Sequence, residues 1–249
     1  MTKTIEAFAP ASMANLGVGF DVLGLAIAQR GDTVIATFDD SVSGAVIRSI
    51  VGDGGRLPYD ANKNVAAYAA NALLKQVGET RGVALTLKKG LPLASGLGSS
   101  AASSVAAVVA VNALLGEPLP RAELLPACLE GEALVSGYHA DNVGPCLLGG
   151  ITLINGTRPD QIRALPVPPS LWFALVTPDV AVPTAEARAV LPKEVPMKAM
   201  ITQTAALAEL VDALHRGDVR AMAAAMEKDG IIEPARKHLM PRLDEVRAA

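Results

Sequence analysis

The residues best suited to chemistry lie in a short segment rich in glycine and serine, PLASGLGSSAA, at positions 92–102. Glycine permits a backbone with positive φ, and small side chains let that backbone approach a ligand closely. The start of a following helix presents unpaired N–H groups with partial positive charge. This combination predicts a cradle for an anion such as a phosphate group. For the loop taken alone, a small-residue helix start packed closely on a sheet is the alternative.

Two better-known phosphate loops fit this segment less well. A Walker-type loop requires a lysine just before its serine or threonine, and no lysine lies between Lys89 and the predicted helix. The glycine spacing satisfies the loose dinucleotide fingerprint, and Glu117 falls about 20 residues further on. However, Pro92 interrupts the approach from the preceding strand, and Glu117 falls between two predicted helices. The context therefore disfavours a dinucleotide site.

Two further clusters place polar residues in apolar surroundings. The first, PASMANLGVGFDVLG at 10–24, suggests a backbone folded tightly around a polar group, with an ordinary Asx turn as the alternative. The second runs from Glu130 to Asn142 and includes Glu132. Residues two apart on a helix point to different faces, so at most one of Glu130 and Glu132 faces a site. We expect the other to be solvated.

Composition excludes several classes of function. The 249 residues carry 22 basic and 25 acidic side chains, which argues against a polybasic partner of nucleic acid or of a membrane surface. Aromatic residues make up 3%, too few for a base-stacking platform. The uncharged stretch 90–116 is alanine-rich and interrupted by polar residues, so we do not expect a membrane helix. Two cysteines and no signal-peptide pattern predict a cytoplasmic protein.

The elements that must position these residues follow a mixed order. Strands are predicted at 3–9, 22–28, 32–39, 44–50, 82–89, 149–156 and 171–178. Helices are predicted at about 64–78, 99–115, 120–136, 184–191, 196–215, 217–228 and 234–247. Strands and helices do not alternate regularly, which favours an α+β class over a doubly wound sheet. Proline and charge near 155–165 predict a boundary between a domain at 1–158 and a second domain at 159–249.

Five motifs together resemble the homoserine kinase family of the GHMP superfamily, which also includes galactokinases, mevalonate kinases and phosphomevalonate kinases. They are PASMANLGVGFDVLG, PLASGLGSSAASS, SGYHADNVGPC, TAEAR and EPARKHLMP. The glycine–serine loop alone indicates only the superfamily, and the other motifs narrow the resemblance to the homoserine kinase family. The resemblance implies an N-terminal mixed α/β nucleotide-binding domain and a C-terminal ferredoxin-like α+β domain. It also implies transfer of the γ-phosphoryl group of ATP to the hydroxyl of L-homoserine, a step of threonine synthesis.

The resemblance further implies roles for individual residues. Those expected around ATP are Asn64, Val65, Pro92, Ser95, Gly96, Leu97, Gly98, Ser99, Ser100 and Ala101. Ser100 and Glu132 are expected to hold Mg²⁺, which prefers oxygen ligands. Those expected around the amino acid are Asn15, Asp21, His139, Asn142, Arg188 and Arg236. Of all these, the residues expected to act in catalysis are Asn15, Asp21, Glu132 and Arg188.

The expected chemistry depends on positioning. An arginine can clamp a carboxylate through two hydrogen bonds, and Asp21 offers a charge to an ammonium or hydroxyl group. Phosphoryl transfer proceeds through positioning and electrostatics without a strong base, so neither Asp21 nor His139 is assigned as one. The resemblance also suggests a homodimer.

Two alternatives stay open from the sequence. One is a mevalonate-type kinase, whose acceptor lacks an ammonium group, and the other is a non-catalytic nucleotide-binding fragment. The family's third glycine-rich motif has no match in 237–249. Either the chain is a fragment of a longer gene product or its lineage has lost that element. We expect the 249-residue chain to bind ATP weakly and to be less active and less stable than a version extended through the third motif.

Overall fold

The computed structural model describes residues 3–176, 182 and 184–248. The strands are β1 (Thr4–Ala14), β2 (Leu23–Phe38), β3 (Ala45–Val51), β4 (Val83–Lys88), β5 (Ile151–Ile154) and β6 (Ile162–Leu165). The helices are α1 (Val65–Val77), α2 (Ser99–Leu114), α3 (Leu125–Ala133), α4 (Ala140–Leu148), α5 (Thr184–Ala189), α6 (Met197–Arg216), α7 (Val219–Met226), α8 (Ile232–Arg236) and α9 (Leu243–Ala248). Short 3₁₀ turns occupy Arg121–Leu124, Pro159–Gln161 and Lys237–Leu239.

The six strands form one mixed sheet in the order β3-β4-β2-β5-β6, with β1 paired to β2. Only β3 and β4 are parallel among the described pairs, and α1 lies between them in the chain. β1 runs antiparallel along β2, and a bulge between Pro10 and Ala11 leaves residues 28–30 outside the ladder. The strands predicted at 22–28 and 32–39 are therefore one strand, because its polar middle forms a bulge and not a turn.

The alanine-rich helix α2 lies at the centre of the larger core. It packs against β1, β2, α1 and α3. Most of its side chains are buried, including Ser103, Ser104 and Asn112. Burial on nearly all sides explains why this stretch carries no charge, since an unpaired charge there would be costly to desolvate. No helix in the described part of the chain combines the length and apolarity needed to cross a membrane.

Further elements differ between the prediction and the structure, and α4 was not among the predicted helices. Residues 171–176 form no strand, and Trp172 there is 90% exposed; the rest of the predicted strand, 177–178, lies outside the described residues. β6 was not predicted, because four residues containing Arg163 resemble a linker, yet an edge strand accommodates that charge. The helix predicted at 234–247 is divided, because Pro241 cannot continue a helix and Arg242 has φ +65°.

A second, smaller core joins the two predicted domains. Leu210 and Leu214 of α6 pack with Leu16 from the loop after β1, and Ile151 of β5 belongs to the same cluster. The α+β class is confirmed by this arrangement of sheet and helices. The division at 158/159 and the ferredoxin-like form of the second domain stay predictions, since the described residues beyond 165 contain helices but no strand.

Candidate active site

A cavity of about 690 Å³ opens where the loop after β4, the loop after β1 and the helices α3, α4 and α5 meet. It gathers most of the residues that the sequence singles out. Those lining it are Asn15, Asp21, Val65, Ser95, Gly96, Gly98, Ser99, Ser100, Glu132, His139, Asn142, Arg188 and Arg236. The described lining does not include Asn64, Pro92, Leu97 or Ala101. The structure therefore brings residues expected around ATP and residues expected around the amino acid to one cavity.

Of the two residues expected beside adenine, Val65 lines the cavity and Asn64 does not. Asn64 is 2% exposed and caps α1, with its carbonyl oxygen accepting from the amide of Ala66 at 3.0 Å. Its side-chain nitrogen donates to the carbonyl of Pro58 at 2.8 Å. The side chain of Asn64 is thus occupied by the fold, whereas Val65 faces the cavity. A role for Asn64 beside adenine stays a prediction.

The glycine–serine loop delivers its backbone to the cavity at the start of α2. Gly98 is the N-cap residue with φ +62°, and no side chain caps the helix among the described contacts. A Cβ at Gly98 would collide with the hydroxyl of Ser12 and lie 3.0 Å from Oδ1 of Asn142. The position therefore requires glycine for both its conformation and its space. The first N–H groups of a 16-residue helix are left to bind an anion.

A buried lysine below this loop was missed from the sequence. Lys89 forms an ion pair with Asp32, and their side chains are 1% and 0% exposed. Its ammonium group also donates to Oγ of Ser99 at 2.7 Å and Oγ of Ser103 at 2.8 Å. Asp32 accepts from the amide of Gly90 at 3.0 Å. Desolvation lowers the pKa of Lys89, and the attraction of Asp32 opposes that shift. The Lys89–Asp32 pair therefore connects Gly90, at the start of the loop, with Ser99 and Ser103 at the start of α2.

Helix α3 supplies a buried carboxylate beside the loop. Glu132 is 4% exposed, and its Oε1 accepts hydrogen bonds from Ser136 and, at 3.1 Å, from Ser100. Its Oε2 is buried and has no hydrogen-bond partner within the described residues. Desolvation raises the pKa of Glu132, partly offset by the two serine hydroxyls. Glu130 points elsewhere and accepts from the hydroxyl of Tyr138 at 3.0 Å.

This carboxylate and hydroxyl fit a magnesium ion. Ser100 Oγ and Glu132 Oε1 lie 3.1 Å apart, and both residues line the cavity next to the anion loop. The unpartnered oxygen Oε2 is the observation that favours a cation, because a buried carboxylate oxygen without a donor is costly. A single carboxylate with one hydroxyl is a donor set that suits Mg²⁺ where phosphate oxygens and water complete the shell.

The opposite end of the cavity carries charges of both signs. Arg188 donates from its two terminal nitrogens to the two carboxylate oxygens of Asp21, at 3.0 Å and 2.7 Å. This hydrogen bonding is the main reason that the pKa of Arg188 is raised. Arg236 donates from Nε to the carbonyl of Ala187 at 2.8 Å. The pKa of Arg236 is lowered, mainly by burial and to a smaller extent by the nearby charge of Arg188.

The loop that carries Asp21 is held in an uncommon conformation. Asn15, Leu16 and Asp21 have φ values of +77°, +45° and +60°, which non-glycine residues rarely adopt. The side-chain oxygen of Asn15 accepts from the amide of Asp21 at 3.1 Å and closes the loop. Such strain persists where the surrounding structure enforces it, as at binding sites.

The start of α4 contributes three polar residues, His139, Asp141 and Asn142. His139 is the N-cap residue and lines the cavity, and Asn142 accepts from the hydroxyl of Ser12 at 2.9 Å. Asp141 was not among the predicted site residues, yet it lines the cavity and is 4% exposed. Burial, followed by repulsion from Asp21, raises the pKa of Asp141. Its place between two predicted site residues was the signal that could have identified it.

Residues 64–150 match the family described as GHMP kinases N terminal domain. The L. major mevalonate kinase has the same fold, with a TM-score of 0.66, 15% identity, and 98% of this chain and 79% of that chain covered. The family match and the fold place the protein among the GHMP kinases.

Relatives with higher sequence identity define the family within this superfamily. The homoserine kinase of Chloroherpeton thalassium is 39% identical over 99% of this chain and 80% of its own length. That of Arabidopsis thaliana is 44% identical over 99% of this chain and 68% of its own length. The crystal structure of homoserine kinase from Cytophaga hutchinsonii gives a TM-score of 0.91 at 41% identity, covering 100% of this chain and 79% of that one. The chain belongs to the homoserine kinase family.

Proposed function

We propose that the protein transfers the γ-phosphoryl group of ATP to the side-chain hydroxyl of L-homoserine, giving ADP and O-phospho-L-homoserine. The bond from the γ-phosphorus to the β–γ bridging oxygen breaks as a bond to the hydroxyl oxygen forms, and the hydroxyl proton is released. The observation that carries the proposal is a single cavity with an anion loop at one end and paired charges of both signs at the other.

The loop and the start of α2 are proposed to hold the triphosphate. Gly96, Gly98, Ser99 and Ser100 line the cavity there and offer backbone N–H groups and hydroxyls. Lys89 donates to the hydroxyl oxygen of Ser99, so the hydroxyl hydrogen of Ser99 is available to a phosphate oxygen. Pro92, Ser95, Leu97 and Ala101 belong to the same segment.

Ser100 and Glu132 are proposed to hold Mg²⁺. The ion, when bound, supplies positive charge that offsets the charge of the phosphate oxygens. The protein contributes a carboxylate that is already desolvated and held by Ser136, so little reorganisation is needed when the charge arrives.

The remaining residues are proposed to orient the acceptor. Homoserine carries a carboxylate, an ammonium group and the reacting hydroxyl. Arg188 and Arg236 suit the carboxylate, and Asp21 suits the ammonium or the hydroxyl. Asn15, His139 and Asn142 are proposed to complete the wall around the acceptor and, together with Asp21, to fix its hydroxyl in line with the γ-phosphorus.

A mevalonate-type kinase is less well supported. Mevalonate has no ammonium group, so it would not use the carboxylate of Asp21, which lines the cavity beside Arg188 and is proposed to meet that ammonium. The comparison of kcat/KM for L-homoserine and for mevalonate, with ATP and Mg²⁺, tests the assignment. We expect turnover with homoserine and at least about 100-fold less with mevalonate. Comparable values for the two acceptors would contradict it, and homoserine-independent binding of ATP without turnover would support a non-catalytic fragment.

Three wider properties are proposed from the family alone. They are a place in threonine biosynthesis, a cytoplasmic location and a homodimer. Analytical ultracentrifugation tests the last of these, and a monomer at micromolar concentration would contradict it.

A further inference from the structure

Two arginines of the same charge share one aromatic ring at the acceptor end of the cavity. The guanidinium carbon of Arg188 lies 5.4 Å from the centre of the Phe20 ring, and that of Arg236 lies 4.9 Å from it. Both distances are within the range of cation–π attraction, which extends to about 6 Å. Phe20 also lines the cavity, although the sequence motifs gave it no role.

Bringing these two guanidinium groups together has an electrostatic cost. Part of the charge is neutralised, because Asp21 accepts two hydrogen bonds from Arg188. Arg236 has no comparable carboxylate within the described residues, and its Nε donates to the carbonyl of Ala187 instead. The ring of Phe20 is the element that attracts both cations without adding a charge of its own.

The charges of this group favour a substrate carboxylate at the arginines. Asp21 pairs directly with Arg188, while the carboxylate of Asp141, also in the cavity, acts on both arginines without an ion pair to Arg236 among the described contacts. A neutral ring therefore organises the arginines without neutralising them. A second acidic residue in place of Phe20 would instead compete with a bound carboxylate.

We propose that Phe20 is a positioning residue that holds Arg188 and Arg236 as one clamp for the carboxylate of the amino-acid substrate. The proposal rests on the proposed function, since it assumes that homoserine occupies this end of the cavity. Phe20 precedes Asp21 directly, so the strained loop that presents the carboxylate also presents the ring.

Inhibition by two fragments of homoserine tests this role. 4-Hydroxybutanoate keeps the carboxylate and lacks the ammonium, whereas 3-aminopropan-1-ol keeps the ammonium and lacks the carboxylate. In Phe20→Leu, the inhibition constant of 4-hydroxybutanoate against homoserine should rise about tenfold, as loss of attraction to two partly desolvated cations implies. The KM for homoserine should rise by a similar factor. The inhibition constant of 3-aminopropan-1-ol and the KM for ATP should stay unchanged.

The chain offers a matched control. Phe38 also lies under a guanidinium group, that of Arg81 at 4.0 Å, but it does not line the cavity. Phe38→Leu should therefore leave both inhibition constants at their original values. Phe20→Tyr keeps the ring and should restore binding of 4-hydroxybutanoate to within about twofold.

The outcomes separate this inference from the proposed function. Absence of homoserine phosphorylation by the unmodified protein would refute the proposed function before any variant is made. With that activity present, equal weakening of both fragments in Phe20→Leu would show a general loss of structure and overturn the clamp. No weakening of either fragment would overturn it as well.

Discussion

Replacing Glu132 by glutamine should make the ligand-free protein more stable while removing most of its activity. The carboxylate is 4% exposed, and one of its oxygens has no hydrogen-bond partner in the described structure. A buried charged atom left unpaired costs about 1–3 kcal/mol or more. Glutamine keeps the shape and the oxygen that accepts from Ser100 and Ser136, but it carries no charge.

The size of the effect follows from what glutamine still leaves unsatisfied. Its amide nitrogen occupies the place of Oε2 and also lacks a partner in the described structure, so only part of the cost is recovered. We expect a gain of about 1 kcal/mol in the free energy of unfolding at pH 7. For a protein of this size, that corresponds to a rise of about 2–4 °C in Tm.

The pH dependence of this gain has a defined sign. Burial raises the pKa of Glu132 in the folded protein above the ordinary value of 4.5. Protonation therefore stabilises the fold, and this stabilisation is lost as the pH rises through the raised pKa. The Tm difference between Glu132→Gln and the unmodified protein should be largest near neutral pH and should shrink as the pH falls towards 4.5. Differential scanning calorimetry at several pH values measures it.

Glu130→Gln is the matched control, because it makes the same change on the same helix at a side chain that contacts Tyr138 outside the cavity. It should change neither Tm nor activity appreciably. Glu132→Gln should lower kcat/KM with saturating Mg²⁺ by at least about 100-fold. A Glu132→Gln protein that is less stable than the original without ligands would refute the argument from the unpartnered carboxylate, and unchanged activity would remove Glu132 from the magnesium site.

Two other predictions concern the anion loop. Lys89→Met should lower the free energy of unfolding, measured in urea, by about 3–5 kcal/mol, because it leaves the carboxylate of Asp32 buried without its cation. The double variant Lys89→Met/Asp32→Leu should recover part of this loss. If the effects of the two substitutions simply add, the pairing is contradicted. Gly98→Ala should raise the KM for ATP and lower Tm, because its Cβ would meet Ser12. Gly96 also has a positive φ, +73°, but open space where a Cβ would lie, so Gly96→Ala should cost only about 1–2 kcal/mol. Equal effects of the two substitutions would refute the steric explanation.

Local patterns were enough to locate the anion loop and its helix. The ends of α1 follow from Asn64 as its N-cap and from Gly78, which has φ +69°, as its C-cap. The two-residue spacing of Glu130 and Glu132 in α3 also predicted that only one of the two carboxylates faces the site, because such residues point to different faces of a helix. These features depend on contacts within a few residues, which a sequence records directly.

The features that were missed depend on contacts distant in the chain. Lys88 and Lys89 look alike in sequence, but alternation sends the first outward to Glu6 and the second inward to Asp32, 57 residues away. The pairing of Arg188 with Asp21 spans 167 residues and depends on where α5 packs. Periodicity cannot show which of two lysines meets a carboxylate in a bulged partner strand.

The central claim is that one cavity brings the γ-phosphoryl group of ATP to the hydroxyl of homoserine. The most direct measurement is ³¹P NMR of a reaction containing the protein, ATP, Mg²⁺ and L-homoserine. The account predicts a phosphomonoester signal that grows in equal amount with ADP and is absent without homoserine. ADP accompanied by inorganic phosphate alone, with no phosphomonoester, would contradict it.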